Sequence, residues 1–296
     1  MRPLPRNRMR PPPAGIKALS VLTMHQAGHH RYFDEDECAA AGAALHDAYV
    51  AGDPFPHIVI DDFIDADILS DIAANYPPRD GKGFFDRAQE RLKYQYHAGE
   101  TTHGGTRNLL AELNSRAFLR FLKNLTGISG LVSDPYFEGG GLHETRSGGH
   151  LSVHADFNIH GKMKVERRLN LLIYLNDDWP ADFGGNLELW DREMAAPVKK
   201  IEPLMARAVI FNTSLDSYHG VPDPVTCPPD RSRRSIATYY YTAFENGVPV
   251  PNRNTNFRPR PGPADTPDRA VAFEHFVNDW VPFRLQRLAM RLSPWK

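Results

Sequence analysis

Residues 143–190 read HETRSGGHLSVHADFNIHGKMKVERRLNLLIYLNDDWPADFGGNLELW, and the fold follows from how this stretch divides. A first strand-like run carries His154-Ala155-Asp156, and a second, Arg168 to Leu175, carries Asn170 and Tyr174. The Gly184-Gly185 turn leads into a third run, Asn186 to Trp190. Side chains at i and i+2 of a strand share a face, so His154 and Asp156 can chelate one ion together. We expect these two residues to hold a metal on the inner face of a β-barrel. The pair alone is a weak signal, because a His-x-Asp arises by chance about once in a chain of this composition.

Working outward, the texture from about Leu131 to Ala243 is one of short apolar runs separated by Gly, Pro, Asn and Asp. Such spacing predicts a mainly β sandwich or barrel with flanking helices. Upstream, an Ala-rich helix is expected over Asp36 to Val50, a β-branched strand over His57 to Ile60, and a helix over Asp65 to Tyr76 stopped by Pro77-Pro78. Phe118, Leu119, Phe121, Leu122 and Leu125 have helical spacing, closed by Gly127. Residues 79–107 show no clear period and read as a surface excursion or a lid. Downstream, a Pro/Asn/Arg-rich linker runs from Pro249 to Pro267. A last helix follows from Asp268 to Met290, with Phe273, Phe276, Val277 and Trp280 in one stripe. The expected organisation is a basic disordered tail (1–33), a helical and mixed part wrapping the core (34–130), the β core (131–245), and the linker with the C-terminal helix (246–296).

Bulk properties exclude several classes. With 296 residues, 41% hydrophobic and 24% charged, the chain can bury one sizeable core. Its net charge of -1 gives no electrostatic footprint for nucleic acid or an anionic membrane. Cys38 and Cys227 are the only cysteines, too few for a disulfide framework or a Cys-based zinc site, and a cytoplasmic setting is the natural expectation. There is no apolar run long enough for a transmembrane helix.

A metal site needs a third ligand. His219 is the best candidate, preceded by the apolar run Val209-Ile210-Phe211 and followed by Gly220-Val221-Pro222. The next strand, Arg233 to Tyr241, puts Arg233, Ser235 and Ala237 on one face and Arg234, Ile236 and Thr238 on the other. An arginine inside a barrel is costly unless an anion pairs with it, and a guanidinium suits a carboxylate. Two His and one carboxylate on one side of a metal leave positions open for substrate and oxygen, as in non-haem Fe(II) oxygenases.

His154-x-Asp156, His219 and Arg233-x-Ser235, in that order, resemble the Fe(II)/2-oxoglutarate-dependent dioxygenases, and most closely their prolyl 4-hydroxylase-like branch. The resemblance covers roughly residues 131–243. It implies a double-stranded β-helix (jelly-roll) core, with His154, Asp156 and His219 binding Fe(II). It also implies that Arg233 and Ser235 bind the distal carboxylate of 2-oxoglutarate. Tyr174 and Leu187, with Asn170 on the Tyr174 face, are the further cosubstrate contacts it suggests. The interval from His219 to Arg233 is longer than usual in this branch, the excess falling in Thr226 to Asp230, so Arg234 competes with Arg233 for the inward position. The Arg-x-Ser pattern favours Arg233.

The activity implied is hydroxylation of an unactivated C–H bond using dioxygen, with release of succinate and CO2 and with ascorbate as an optional reductant. The carboxylate of Asp156, where halogenases of this fold have Ala or Gly, favours hydroxylation. Substrate candidates at the mouth are Asn158, His160, Arg168 and Trp190. The substrate is expected to be a small molecule, a sugar-containing metabolite or a peptide. A prolyl hydroxylase in the strict sense and a non-catalytic jelly-roll binding protein are the alternatives. A homodimer contact through the C-terminal helix is left open.

Overall fold

The computed structural model describes residues 20–79, 83–248 and 250–262, together with Asp265, Phe273, Phe276, Val277, Trp280, Val281 and Leu285. A hairpin, β1 (Met24–Ala27) and β2 (His30–Phe33), comes first. Then follow α1 (Glu35–Val50), β3 (His57–Ile60), α2 (Ala66–Ala74), β4 (Phe84–Arg87), β5 (Glu90–Tyr96), α3 (Gly104–Glu112) and α4 (Arg116–Thr126). The β region comprises β6 (Val132–Ser133), β7 (Gly141–Ala155), β8 (Glu166–Tyr174), β9 (Leu187–Trp190), β10 (Pro197–Ile201), β11 (Ala208–Asn212), β12 (His219–Val221) and β13 (Ser232–Thr242). A short β14 (Asn256–Phe257) comes last.

The long strand β7 organises two sheets. Its first half, Gly141 to Arg146, pairs with β13, which pairs with β8, then β11, then β3. Its second half pairs instead with β12, followed by β9 and β10. Every pairing is antiparallel, and this strand order is that of a jelly roll. At the crossing point Gly148 has φ +80°, a backbone geometry that side chains with a Cβ rarely adopt.

Strand β8 shows why the core reads as nearly continuous apolar sequence. Leu169, Leu171 and Ile173 face outward into the main hydrophobic core, under Phe118, Phe121 and Leu122 of α4 and Leu69 and Ile72 of α2. Leu172 and Tyr174 face inward, with Leu187, Leu189, Val209 and Phe211 across the jelly roll. Both faces are covered, so alternation gives way to a run. The helices keep that cover in place with ordinary caps: Asp34 accepts from the amides of Asp36 and Glu37, and Ser115 from that of Phe118.

Three expectations are corrected. Residues 24–33 form the β1–β2 hairpin, with Leu22 and Phe33 buried in the core, so the disordered tail expected over 1–33 does not extend this far. Within the segment expected as a surface excursion or a lid, residues 84–96 instead form the β4–β5 hairpin, whose second strand pairs with β7. The Pro-rich linker contributes β14, which pairs with β7 at His154 and Ala155. The sheets thus draw on both flanks of the 131–245 core. Most of the expected C-terminal helix, with the dimer contact placed on it, lies outside the described residues. No helix among the described residues is long and apolar enough to cross a membrane.

Candidate metal and carboxylate site

The register of β12 on β7 sets His219 directly opposite His154. Their rings lie 4.5 Å apart between centroids. Asp156 follows immediately after β7 and places Oδ1 3.5 Å from His154 Nε2 and Oδ2 3.5 Å from His219 Nε2. One ligand atom from each of the three residues lies within 4.8 Å of the others. The two histidines are held in the same way: Nδ1 of His154 faces the Ser152 carbonyl at 2.8 Å, and Nδ1 of His219 the Ser217 carbonyl at 2.9 Å. A carbonyl can only accept, so each Nδ1 carries the proton and each Nε2 presents a lone pair toward Asp156. Burial pushes His219 down to about 4, against the opposing charge of Asp156, so this ring is neutral at physiological pH. Burial raises the Asp156 carboxyl, but the Arg167 guanidinium beside it outweighs this and holds the group well below the usual carboxylate range. Two imidazole nitrogens with a carboxylate on one side of a common space form a donor set for a divalent metal.

At the other end of the same cavity, Arg233 points inward from β13 and is buried. Its Nε donates to the Gly185 carbonyl at 2.7 Å and its guanidinium lies 5.0 Å from the Tyr174 ring centroid. Gly185 is required here: its φ is +72°, and a Cβ would sit 2.9 Å from Arg233 Cδ. Arg233 Nη2 and the Tyr174 hydroxyl are both buried and, among the described residues, have no hydrogen-bond partner. Burial lowers the Arg233 pKa and raises that of Tyr174. Arg234 turns the other way, to the carboxylate of Glu144 and the Ala73 carbonyl. Ser235 lies opposite Tyr174 in the β13–β8 register.

The cavity has a volume of about 240 Å³ and brings together His154, Asp156, His219, Asn170, Leu187, Arg233 and Ser235. Asn158, His160, Arg168 and Trp190 lie elsewhere. Asn158 borders a neighbouring cavity and bonds Pro251 and Arg253. His160 is fully buried against Asp134, because β7 ends at Ala155 and period-2 counting fails beyond it. Trp190 has the opposite parity to Leu187 and packs outside the sheet with Val153, Ala155 and Tyr218. Arg168 reaches only toward Thr242, because a register shift between β13 and β8 pairs Tyr241 with Arg167 after Tyr240 with Leu169.

That shift exposes a residue missed from the sequence. Arg167, not Arg168, enters the cavity, with Nη2 3.1 Å from Asp156 Oδ2. Its guanidinium is stacked 3.5 Å from the Tyr239 ring centroid and 4.6 Å from that of Phe157. The hairpin wall was missed as well: Phe85, Arg87, Glu90 and Lys93 line the cavity, with Glu90 bridging Lys93 at 2.6 Å and Arg87 at 2.9 Å. Its polar inner face gave no hydrophobic alternation to read. Thr255 and Phe257 of the former linker close the mouth, Phe257 lying 5.3 Å from the His154 ring.

Residues 140–241 match the family model of the 2OG-Fe(II) oxygenase superfamily. A Mus musculus protein named prolyl 3-hydroxylase OGFOD1 is 27% identical over 210 residues, covering 67% of this chain. The match spans only 36% of that protein's length. Among solved structures, a Pseudomonas putida prolyl-4-hydroxylase is similar with a TM-score of 0.49 and 20% identity, covering 68% of this chain and 98% of that one. A Trichoplax adhaerens prolyl hydroxylase, solved with a hypoxia inducible factor peptide, gives 0.48 and 17%, covering 70% and 91%. The His154, Asp156 and His219 cluster lies inside the segment that matches the 2OG-Fe(II) oxygenase superfamily model.

Proposed function

We propose that the protein hydroxylates an unactivated C–H bond of a small-molecule, sugar-containing or peptide substrate. The observation that carries this reading is the buried Arg233 guanidinium lining the cavity of the two histidines and Asp156, with Arg233 Nη2 and the hydroxyl of the adjacent Tyr174 lacking hydrogen-bond partners among the described residues. A buried donor without an acceptor is costly, and a dicarboxylate whose far end reaches Arg233 removes that cost. When bound, Fe(II) with 2-oxoglutarate supplies the oxidising power: one atom of dioxygen enters the substrate C–H bond, the other ends in succinate, and CO2 is lost.

The protein's share is placement. His154, Asp156 and His219 hold the metal, and Arg233 with Tyr174 and Ser235 fixes the distal carboxylate. Leu172, Leu187 and Phe211 form an apolar wall that excludes water from the cosubstrate. The remaining opening, between the β4–β5 hairpin and Phe257, is where substrate enters. The test is anaerobic addition of Fe(II) and 2-oxoglutarate. A visible charge-transfer band that disappears in His154→Ala supports the reading, and folded wild-type protein without a band refutes it.

A second reading, hydroxylation of proline residues, is favoured by the 27% match over 67% of the chain to a protein named as a prolyl 3-hydroxylase. A panel of proline-containing peptides read by mass, set against non-peptide substrates read by succinate release above the uncoupled background, separates the two.

A further inference from the structure

The inference rests on the metal-site reading and concerns which oxygen of Asp156 the metal takes. Asn170 is expected from the sequence among the 2-oxoglutarate contacts, yet both ends of its amide are engaged elsewhere. Nδ2 donates to Asp156 Oδ2 at 2.7 Å, and Oδ1 accepts from Nε and Nη2 of Arg167 at 3.0 and 2.8 Å. This amide orientation is dictated by chemistry, because a guanidinium only donates and a carboxylate only accepts. Arg167 completes the ring with Nη2 3.1 Å from the same Oδ2. The rings of Tyr239 and Phe157 hold the guanidinium in place, so the arrangement is fixed before any ligand arrives.

Both oxygens border the site, one near each histidine. They differ in their partners. Oδ2 accepts the Asn170 amide and lies against the charged Arg167 guanidinium, whereas among the described residues only His154 Nε2 faces Oδ1. We propose that Asn170 and Arg167 are positioning residues that occupy Asp156 Oδ2, so that Asp156 presents Oδ1 alone to the metal. Single-oxygen binding conserves an open coordination position that a carboxylate gripping the metal with both oxygens would fill.

The experiment measures Mn(II) affinity by chelator competition, without 2-oxoglutarate or substrate, and the visible spectrum of the Co(II)-loaded protein. Asn170→Ala is expected to weaken Mn(II) about 10- to 100-fold and to shift the Co(II) spectrum as Asp156 turns to two-oxygen binding. Arg167→Lys, which keeps the charge but cannot bridge Asn170 and Asp156, changes both in the same direction by less. It serves as the test if Asn170→Ala does not fold. Wild-type affinity in these variants, or lower affinity with an unchanged Co(II) spectrum, overturns the assignment. If instead wild type and His154→Ala bind Mn(II) alike, it is the metal-site reading that fails.

Discussion

The two ends of the cavity are built on opposite principles. At the metal end every ligand is already held: each histidine by a backbone carbonyl, Asp156 by Asn170 and Arg167. At the Arg233 end, Arg233 Nη2 and the Tyr174 hydroxyl are buried with no hydrogen-bond partner among the described residues. On the proposed function, the first end is satisfied by the protein and the second by the cosubstrate. A metal site needs geometry before the ion arrives, whereas an anion site gains affinity from donors that the protein's own groups leave unbonded.

The largest effect tests the metal end. His154→Ala removes a ligand at the centre of the cluster and should reduce 2-oxoglutarate turnover to background, read as succinate release. Retained turnover would mean that the cluster is not the reaction centre. The next effect tests the other end. Arg233→Ala should raise the 2-oxoglutarate requirement by roughly 100-fold or more, the worth of a buried charge-assisted pair, while Arg234→Ala leaves it near wild type. Without ligand the comparison inverts: Arg233→Ala, which removes an unpaired buried cation, should leave the melting temperature unchanged or raised. Asp156→Ala, which strands Arg167, should lower it. Equal melting shifts for the two variants would erase the distinction between the ends.

What could be read from the sequence follows the same division. His219 was legible from the apolar strand before it and the Gly-Val-Pro turn after it, and His154 with Asp156 and the face of Arg233 from strand periodicity. Outer-face Leu169, Leu171 and Ile173 of β8 were legible for the same reason. Period 2 fails where the strand does. Arg167 was hidden by the register shift on β8, and His160 was misplaced because β7 stops at Ala155. Trp190 is different, since parity with Leu187 already put it on the outer face. The β4–β5 hairpin and Phe257 left no local signature, because their places are set by pairing with β7, a contact between distant segments.

A third prediction probes the scaffold behind the carboxylate end. Glu144, on β7, binds Arg79, Arg234, Ser232 and Tyr96, on the opposite side of β13 from the Arg233 guanidinium. Burial raises this carboxyl, but Arg79, Ser232 and Arg234 outweigh it and bring its pKa to about 2, from an ordinary 4.5. A depressed carboxylate stabilises the fold fully above its unfolded value, and the contribution is lost as pH falls through the folded one. The window is therefore pH 4.5 down to 2. Glu144→Gln should cost on the order of 3 kcal/mol at neutral pH and flatten the stability profile across that window in denaturant titrations. An unchanged slope would show that other carboxylates carry the acid response.

The smallest effect concerns the mouth, where neither principle applies. The segment that brings Thr255 and Phe257 over the cavity is fastened beside it by Asn158. Asn158 Nδ2 donates to the Pro251 carbonyl at 2.8 Å, and Oδ1 accepts the Arg253 amide at 2.8 Å. Both bonds are near the surface, where water competes for each partner, so Asn158→Ala should cost only about 1 kcal/mol of global stability. Its consequence is local. Hydrogen exchange across 250–258 should quicken while that of β8 stays unchanged, because the Asn158 side chain ties the start of this segment to the edge of the cavity and not to β8. The 2-oxoglutarate requirement should not move, since Arg233 and Tyr174 lie at the far end. If it rises with Asn158→Ala, the mouth and the carboxylate end are coupled, and the cavity is one cooperative unit instead of two ends built differently.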